Sequence, residues 1–358
     1  MRSPSTGSMG DSSSATFHPF ERPAGIGTSP VEGLQMRSEF HHVPVMLGEV
    51  VSLFAPVPAG VVVDATSGGG GHSAALLQAY PRMRVLALDR DPAAVDATAE
   101  RLRRYGERAV VVHASFGELA EVASGCGIGP GTLSGALFDL GVSSTQLDVA
   151  ERGFSYRVSG PLDMRMDPSV TLTAAELLER MSEPELARIL AENGEGRLAR
   201  RLARAILAAR PIRTTGELAD VVGRSVPAPG RRRGHPAKRV FQALRIAVNA
   251  ELDQLESAIP AAIGMLAPGG RCVVIAYHSG EDRTVKRALA SAESGGCTCP
   301  AGLPCVCGAV SLGRLVSRGA RRPSPAEVMA NRRAEQARLR AFERAAQAGA
   351  PSLPGDLG

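Results

Sequence analysis

The fold of this chain is decided by the stretch Val61-Val62-Val63-Asp64-Ala65-Thr66-Ser67-Gly68-Gly69-Gly70-Gly71-His72-Ser73. Three β-branched residues predict a buried strand that ends at an acid, and the four glycines predict a turn. The Ala/Leu-rich residues 74–80 then predict a helix. Such a strand, glycine loop and helix are typical of a nucleotide-binding βαβ unit, because glycine lets the backbone approach a ligand and a helix N-terminus offers N–H groups.

The spacing within this stretch separates two kinds of cofactor site. A G-x-G-x-x-G fingerprint counted from Gly68 would place Ser73 at its last position, which disfavours a nicotinamide dehydrogenase. The spacing Asp64-x-Thr66-x-Gly68-x-Gly70 instead resembles the first motif of class I S-adenosylmethionine (SAM) methyltransferases. Thr66 stands where many of those enzymes have another glycine.

The bulk composition is that of an ordinary soluble protein. The 358 residues suffice for one large or two modest domains with a substantial core. Six cysteines in a chain of this length argue against a disulfide scaffold. The N-terminal residues lack the apolar segment of a signal peptide, and no uncharged apolar run reaches the roughly 18–20 residues of a membrane span. We therefore expect a cytoplasmic protein with no membrane contact.

The positive charge is concentrated in one part of the chain. The net charge is +5, but residues 197–245 alone carry 13 Lys/Arg against two acids, Glu217 and Asp220. This density favours a polyanionic partner, which would be bound with release of counterions. A solvated helix face in an arginine-rich protein explains the same density equally well.

The order of the patterns predicts a Rossmann-like, doubly wound sheet with a helical insertion domain between strands four and five. Residues 39–144 and 240–345 are predicted to form the cofactor-binding domain, and residues 145–239 the insertion, which would grip the substrate. Residues 1–38 and 346–358 are predicted to be a disordered leader and tail. A long helix over residues 236–266 is expected to be interrupted near Pro260.

Three acids end three of the predicted strands, namely Asp64, Asp89 and Asp139. Ligands of open parallel sheets bind outside the carboxyl ends of the strands. Asp89 lies 21 residues after Gly68, where such a fold places the carboxylate that accepts hydrogen bonds from ribose hydroxyls. Its alternative role is that of a helix N-cap, although Asp91 is better placed for this before Pro92.

An aromatic residue follows the third strand. Phe116 comes shortly after the predicted strand 109–113, and its ring could flank a flat adenine. Packing in the core is the alternative, and the sequence alone leaves both open.

Taken in order, the segments of the chain resemble one family, the bacterial MraW/RsmH 16S rRNA cytosine-N4 methyltransferases, over residues 41–344. Single matches are weak, but their ordered series is highly specific. Among the matching segments are His42-Val43-Pro44-Val45-Met46-Leu47, Gly70-Gly71-His72-Ser73, Leu88-Asp89-Arg90-Asp91-Pro92, Asp139-Leu140-Gly141-Val142-Ser143-Ser144, Gln146-Leu147-Asp148, Gly160-Pro161-Leu162-Asp163-Met164-Arg165-Met166, Phe241-Gln242-Ala243-Leu244-Arg245-Ile246 and His278-Ser279-x-Glu281-Asp282-Arg283.

This resemblance implies a function and a set of cofactor contacts. It implies SAM-dependent N4-methylation of a cytosine of 16S rRNA in the decoding region of the 30S ribosomal subunit, by a protein that could be a homodimer. Alternatives are a methyltransferase of DNA or another RNA, and a non-catalytic ribosome-assembly factor that keeps the fold as a scaffold. The implied SAM contacts are Gly70, Gly71, His72, Asp89, Phe116, Asp139 and Gln146.

Two residues are candidates for the chemistry. The N4 lone pair of cytosine is delocalised into the ring, so an acceptor must hold the amino hydrogens while the lone pair points at the methyl group. We expect Asp139 or the adjoining residues 141–144 to supply this acceptor. His278, after strand five, is a candidate proton acceptor or base-orienting group, and its alternative is a structural hydrogen bond to Glu281 or Asp282.

Four cysteines lie close together near the C-terminus. Cys297-x-Cys299 and Cys305-x-Cys307 could form a tetrahedral thiolate site for structural zinc. Their spacing is tighter than that of common zinc ribbons, and reduced thiols on a mobile loop are the alternative.

Overall fold

The computed structural model describes residues 43–226, 235, 237–300 and 306–346. The predicted leader, residues 1–38, lies outside these ranges, and only Ala346 of the predicted tail is described. Within the described residues the chain forms one seven-stranded sheet. Its strands are β1 (Val61–Asp64), β2 (Arg84–Asp89), β3 (Ala109–His113), β4 (Leu133–Asp139), β5 (Leu266–Ala276), β6 (Gly313–Leu315) and β7 (Arg338–Arg344).

The sheet order is β3-β2-β1-β4-β5-β7-β6. Strands β1 to β5 pair in parallel, whereas β7 is antiparallel to both β5 and β6. The order reverses between β1 and β4, and this switch point is where a doubly wound sheet opens a ligand crevice. The predicted class I methyltransferase fold, with its insertion between strands four and five, is confirmed.

Helices cover both faces of the sheet and build the insertion. The α-helices of the described residues are α1 (Leu47–Phe54), α2 (Gly71–Ala79), α3 (Pro92–Leu102), α4 (Leu119–Gly125), α5 (Ser144–Asp148), α6 (Ala174–Arg180), α7 (Glu183–Leu190), α8 (Ala199–Ala208), α9 (Thr215–Ser225), α10 (Ala237–Asn249), α11 (Glu251–Met265), α12 (Ser279–Ser294) and α13 (Pro325–Ala330). None of these described helices has the length and apolarity that crossing a bilayer requires.

Two details of the predicted elements are wrong. The long helix breaks at Ala250, whose φ of 49° is left-handed, and not near Pro260, which lies inside α11. Pro260 is exposed, so water can hydrate the carbonyl group that loses its N–H partner there. The second detail is the segment Ala267-Pro268-Gly269-Gly270, which the sequence predicts as a turn before strand five. In the structure β5 starts at Leu266, and this segment is an irregularity within the strand, between the pairs Leu133↔Leu266 and Gly135↔Arg271.

Alternation along the central strands divides the core of the sheet into two layers. Val63 and Phe138 pack on one face with α4, α11 and α12. Val62 and Leu137 pack on the other face with Phe54 of α1. Burial on both faces explains the continuous apolar runs of these strands and holds their carboxyl ends in fixed positions.

The insertion has a hydrophobic core of its own. It is built from α6 to α10 and from the loop that contains Phe154, Leu162, Met164 and Met166. This cluster extends to Val248, so helix α10 belongs to the insertion core and also leads back to the sheet. The boundaries at residues 145 and 239 stay a prediction.

Gly135→Ala is expected to destabilise the protein by about 1–3 kcal/mol, because overpacking a rigid core has this cost. A Cβ at Gly135 would lie 2.3 Å from Phe54 Cε1 and 3.0 Å from the Arg271 carbonyl oxygen. Urea denaturation would measure the change. Gly129→Ala is the matched control, since its Cβ would meet no atom within 4 Å. Equal stability of the two variants would contradict this packing.

Candidate functional site

A cavity of about 420 Å³ opens at the carboxyl ends of β1, β2 and β4 and reaches the mouth of the insertion. Both catalytic candidates, Asp139 and His278, line it. Six of the seven residues proposed as cofactor contacts line it as well: Gly71, His72, Asp89, Phe116, Asp139 and Gln146. Residues that were predicted at separate points of the sequence therefore lie around one cavity.

Gly70 does not line the cavity, but its backbone conformation shapes the turn before α2. Its φ of 72° is left-handed, and it stands as the N-cap of α2 without a side-chain hydrogen bond. At Gly71 a Cβ would lie 2.4 Å from Pro44 Cγ, so a side chain there would push away Pro44, which lines the cavity. The glycines thus place an uncapped helix N-terminus against the cavity.

Asp89 is fixed by the backbone around it. Its carboxylate accepts hydrogen bonds from the N–H of Gly68 at 2.7 Å and from that of Asp91 at 2.9 Å. Burial raises the pKa of Asp89 to about 6, although these two donors oppose the shift. Asp91 is the N-cap of α3, as predicted, and accepts a hydrogen bond from the Ala93 N–H. Asp89 is thereby left to face the cavity.

Gln146 connects the loop after β4 to the end of β2. Its Nε2 donates to Asp91 Oδ2 at 2.8 Å, and its Oε1 accepts from the Ser143 N–H at 3.0 Å. Arg152 adds an ion pair to the same Asp91 oxygen at 3.0 Å. Gln146 is buried, so these bonds hold the loop next to the cavity in a defined position.

Phe116 packs in the core and also lines the cavity, while its place beside adenine stays a prediction. Its ring meets Phe138 of the core edge-to-face, with centroids 6.2 Å apart. The residue is half-buried and also lines the cavity. Core packing therefore sets the orientation of the ring, and the cavity has an apolar wall at this point.

Asp139 is held by three neighbours. Its N–H donates to Thr66 Oγ1 at 2.6 Å, and its Oδ1 accepts from the Tyr277 hydroxyl at 2.7 Å. Its Oδ2 lies 3.5 Å from His72 Nε2. Burial and the neighbouring Asp139 charge raise the pKa of Tyr277 well above its usual value, so the hydroxyl stays protonated and donates.

His72 is a buried polar side chain whose hydrogen-bonding capacity is unused. Neither of its ring nitrogens has a hydrogen-bond partner within the described part of the chain. A buried polar group in this condition costs about 1–3 kcal/mol. A polar ligand in the cavity would recover that cost, which makes His72 a good indication of a binding site.

His278 acts as a helix cap. Its Nδ1 accepts hydrogen bonds from the N–H groups of Gly280 at 3.1 Å and Glu281 at 3.3 Å, at the start of α12. Its Nε2 lies 3.0 Å from Glu281 Oε1 but lacks the alignment of a hydrogen bond. Asp282 instead binds Arg338 and Arg340. Glu281 is therefore the structural partner of His278, as one of the two alternatives expected. The proton-accepting role of His278 stays a prediction.

Beneath His278 lies a buried charge network. Arg245 makes a two-point ion pair with Glu251, with both N···O distances 2.8 Å, and its guanidinium lies 3.9 Å from Glu281. Burial alone would raise the pKa of Glu281, but the adjacent His278 and Arg245 hold it below its usual value. The network fixes the end of β5 against the break between α10 and α11.

Arg245→Met is expected to lower the free energy of unfolding by about 3–5 kcal/mol, because it leaves two buried carboxylates without their cation. Arg287→Met provides the control. Arg287 pairs with Glu256 on the surface, where both side chains are more than 60% exposed, and such a pair contributes about 0–1 kcal/mol. Chemical denaturation of the two variants compares them directly, and equal effects would contradict the network's contribution.

Sequence reasoning missed several residues of the site: Thr66, Tyr277, Arg245 and Glu251. The rule that ligands bind at the carboxyl ends of parallel strands found Asp139 and could also have found Tyr277, since Tyr277 follows the strand that pairs with β4. Thr66 was noticed only as a departure from a glycine pattern. Arg245 and Glu251 belong to two segments that match the family, Phe241–Ile246 and Asn249-x-Glu251-Leu252, but nothing in their spacing indicated an ion pair across a helix break.

The C-terminal thiols form a separate cluster outside the cavity. The sulfur atoms of Cys297, Cys299 and Cys307 all lie within 4.8 Å of one another. The fourth cysteine of the prediction, Cys305, lies outside the described residues.

The sequence of this chain is similar to a family model and to several known proteins. Residues 39–345 match the MraW methylase family. The chain is 49% identical over 311 residues to the ribosomal RNA small subunit methyltransferase H of Heliobacterium modesticaldum, covering 85% of this chain and 99% of that protein. It is 50% identical to the protein of that name from Saccharopolyspora erythraea, with 86% and 94% covered. A solved putative rRNA methylase from Clostridium thermocellum aligns over 85% of this chain and 99% of its own, with 14% identity and a TM-score of 0.38.

Proposed function

This chain belongs to the MraW methylase family, and we propose that it transfers the methyl group of SAM to N4 of a cytosine in the decoding region of 16S rRNA. The observation that carries the proposal is the cavity at the switch point, in which Asp139 stands beside the buried His72, whose ring nitrogens make no hydrogen bond to any described residue. Relatives nearly half identical in sequence are named as methyltransferases of small-subunit ribosomal RNA. The cytosine N4 specificity rests on the sequence resemblance.

The residues of the cavity fit SAM. Asp89 offers carboxylate oxygens for ribose hydroxyls, and Phe116 offers an apolar surface for adenine. The uncapped N-terminus of α2 suits the carboxylate of the methionine part. His72, whose ring nitrogens make no hydrogen bond within the described residues, supplies a further polar contact. A scaffold protein would need none of these, which disfavours the non-catalytic alternative.

The reaction itself needs orientation more than it needs strong acid or base chemistry. SAM supplies a methyl group made electrophilic by the sulfonium. The Tyr277 hydroxyl already donates to Asp139 Oδ1, so Oδ2 is the oxygen that can accept a hydrogen bond from the cytosine amino group. Holding that hydrogen turns the nitrogen lone pair toward the methyl group. The same oxygen is the acceptor for the proton that N4 loses as the new N–C bond forms and the methyl–sulfur bond breaks. His278 then serves chiefly to fix the start of α12. Its role as a proton acceptor stays a separate prediction.

Cationic side chains of the cavity and of the insertion suit RNA. Lys238 and Arg332 line the cavity, and Arg200 and Arg201 lie exposed on α8 of the insertion. Cationic side chains bind phosphates with release of counterions. A base inside a folded RNA must leave its stack to enter such a cavity. We propose that the insertion reads the ribosomal surroundings of the target cytosine.

The test is the transfer of labelled methyl groups from SAM to 30S subunits that lack the modification, beside naked 16S rRNA and duplex DNA. We expect N4-methylated cytidine, identified by mass spectrometry of nucleosides, on the subunits alone. Transfer to DNA, or a product other than N4-methylcytidine, would contradict the proposed specificity. SAM binding without transfer to any substrate would favour the assembly-factor alternative. Sedimentation of the free chain would test the predicted homodimer.

A further inference from the structure

We propose that Cys297, Cys299 and Cys307 bind one zinc ion, which fastens the segment between α12 and β6. The three sulfur atoms lie within 4.8 Å of one another, and those of Cys297 and Cys307 are 3.6 Å apart. Zn–S bonds of about 2.3 Å in a tetrahedron separate two thiolates by about 3.8 Å. The observed spacing is therefore near that of a zinc site, whereas a disulfide requires about 2.05 Å.

The chemistry of the three donors selects zinc among the common metal ions. Three thiolates with one remaining coordination position suit zinc, a borderline-soft ion that accepts sulfur in tetrahedral geometry. Sulfur is a poor ligand for Mg²⁺ or Ca²⁺, which prefer oxygen.

The described part of this segment leaves apolar side chains in water, since Val306 and Val310 are 88% and 74% exposed. Its two ends are nevertheless fixed next to each other. Cys297 follows the C-terminus of α12 and donates to the Ser294 carbonyl, while the Leu312 N–H returns to the Ala292 carbonyl at 2.9 Å. A metal ion at the cysteines would close this loop, as metals do in small segments without a core.

The thiol cluster stands apart from the proposed chemistry. None of its three cysteines lines the cavity that holds Asp139. The site is therefore expected to stabilise the segment that leads into the edge strand β6, without a part in methyl transfer. The zinc proposal can therefore be tested without regard to the proposed function.

The test uses the full chain, purified under reducing conditions and stripped of metal with a chelator. Titration with Co²⁺ is expected to produce thiolate-to-cobalt charge-transfer absorption that saturates at one equivalent and disappears when Zn²⁺ is added. Protein expressed with zinc is expected to carry one zinc per chain by elemental mass spectrometry. Cys297→Ser and Cys307→Ser should each lose the bound metal. Cys126→Ala, which removes a buried thiol of the main core, should keep it.

Three results would overturn the proposal. The first is stripped wild-type protein that gives no charge-transfer absorption in excess Co²⁺, a measurement that does not depend on whether the variants fold. The second is a Cys297→Ser/Cys307→Ser double variant that retains one zinc per chain. The third is protein that contains no zinc and carries a disulfide between these two cysteines when prepared without reductant.

Discussion

Asp139→Asn is expected to lower kcat for methyl transfer by about 10²- to 10³-fold, the usual effect of removing one oriented hydrogen-bonding group from a reaction site. Asparagine has nearly the same shape and keeps one oxygen for the Tyr277 hydroxyl, which donates to Oδ1 at 2.7 Å. Its amide nitrogen would replace Oδ2 and could no longer accept a hydrogen from the cytosine amino group. Single-turnover transfer to 30S subunits measures the effect, and calorimetry measures SAM affinity.

The controls for this variant separate chemistry from folding. Asp96→Asn changes an exposed acid of α3 and should leave turnover unchanged. Tyr277→Phe removes only the hydroxyl that orients Asp139, so it should lower kcat by less than Asp139→Asn does. Wild-type turnover in Asp139→Asn, with SAM affinity intact, would reject the acceptor role. A loss confined to SAM affinity would leave Asp139 a cofactor contact alone.

Strand ends predict two residues of the site, Asp89 and Asp139, whereas His72 and Gln146 came only from the family resemblance. Asp64, Asp89 and Asp139 each close a strand of β-branched or apolar residues, and in a parallel sheet such positions come together whatever the loops do. The register confirms this, since Asp64 pairs with Leu137, and Asp139 with Ile275. The chain pattern fixes these positions because side chains alternate strictly along a strand.

Other features depend on tertiary contacts that no local pattern contains. The break at Ala250 is one example, because a proline ten residues later looked like the stronger helix breaker. At this break the Asn249 side chain donates to the Met164 carbonyl and accepts from the Met166 N–H, so the insertion loop is bound to the turn. The capping bonds of His278 are another example, because a histidine at a strand end has the same sequence signature whether it caps a helix or accepts a proton.

Asp89→Asn is expected to weaken SAM binding by about 10- to 100-fold, since a hydrogen bond to a charged group contributes about 1.5–3 kcal/mol. The variant would also bring an amide NH₂ toward a backbone donor, because both Asp89 oxygens accept N–H groups, from Gly68 and Asp91. Isothermal calorimetry measures the affinity, with Asp96→Asn as the control. An unchanged dissociation constant would remove Asp89 from the cofactor contacts.

The pKa of Asp89, about 6, makes this prediction dependent on pH. If the ionised carboxylate accepts the ribose hydroxyls, wild-type affinity for SAM falls as the pH drops through 6, whereas the affinity of Asp89→Asn stays flat. The stability of the free protein should change in the opposite sense. Between the usual value of 3.8 and about 6 the folded chain binds a proton that the unfolded chain does not, so protonating Asp89 raises the free energy of unfolding. Wild-type affinity that stays constant across this range would show that the ligand does not depend on this charge.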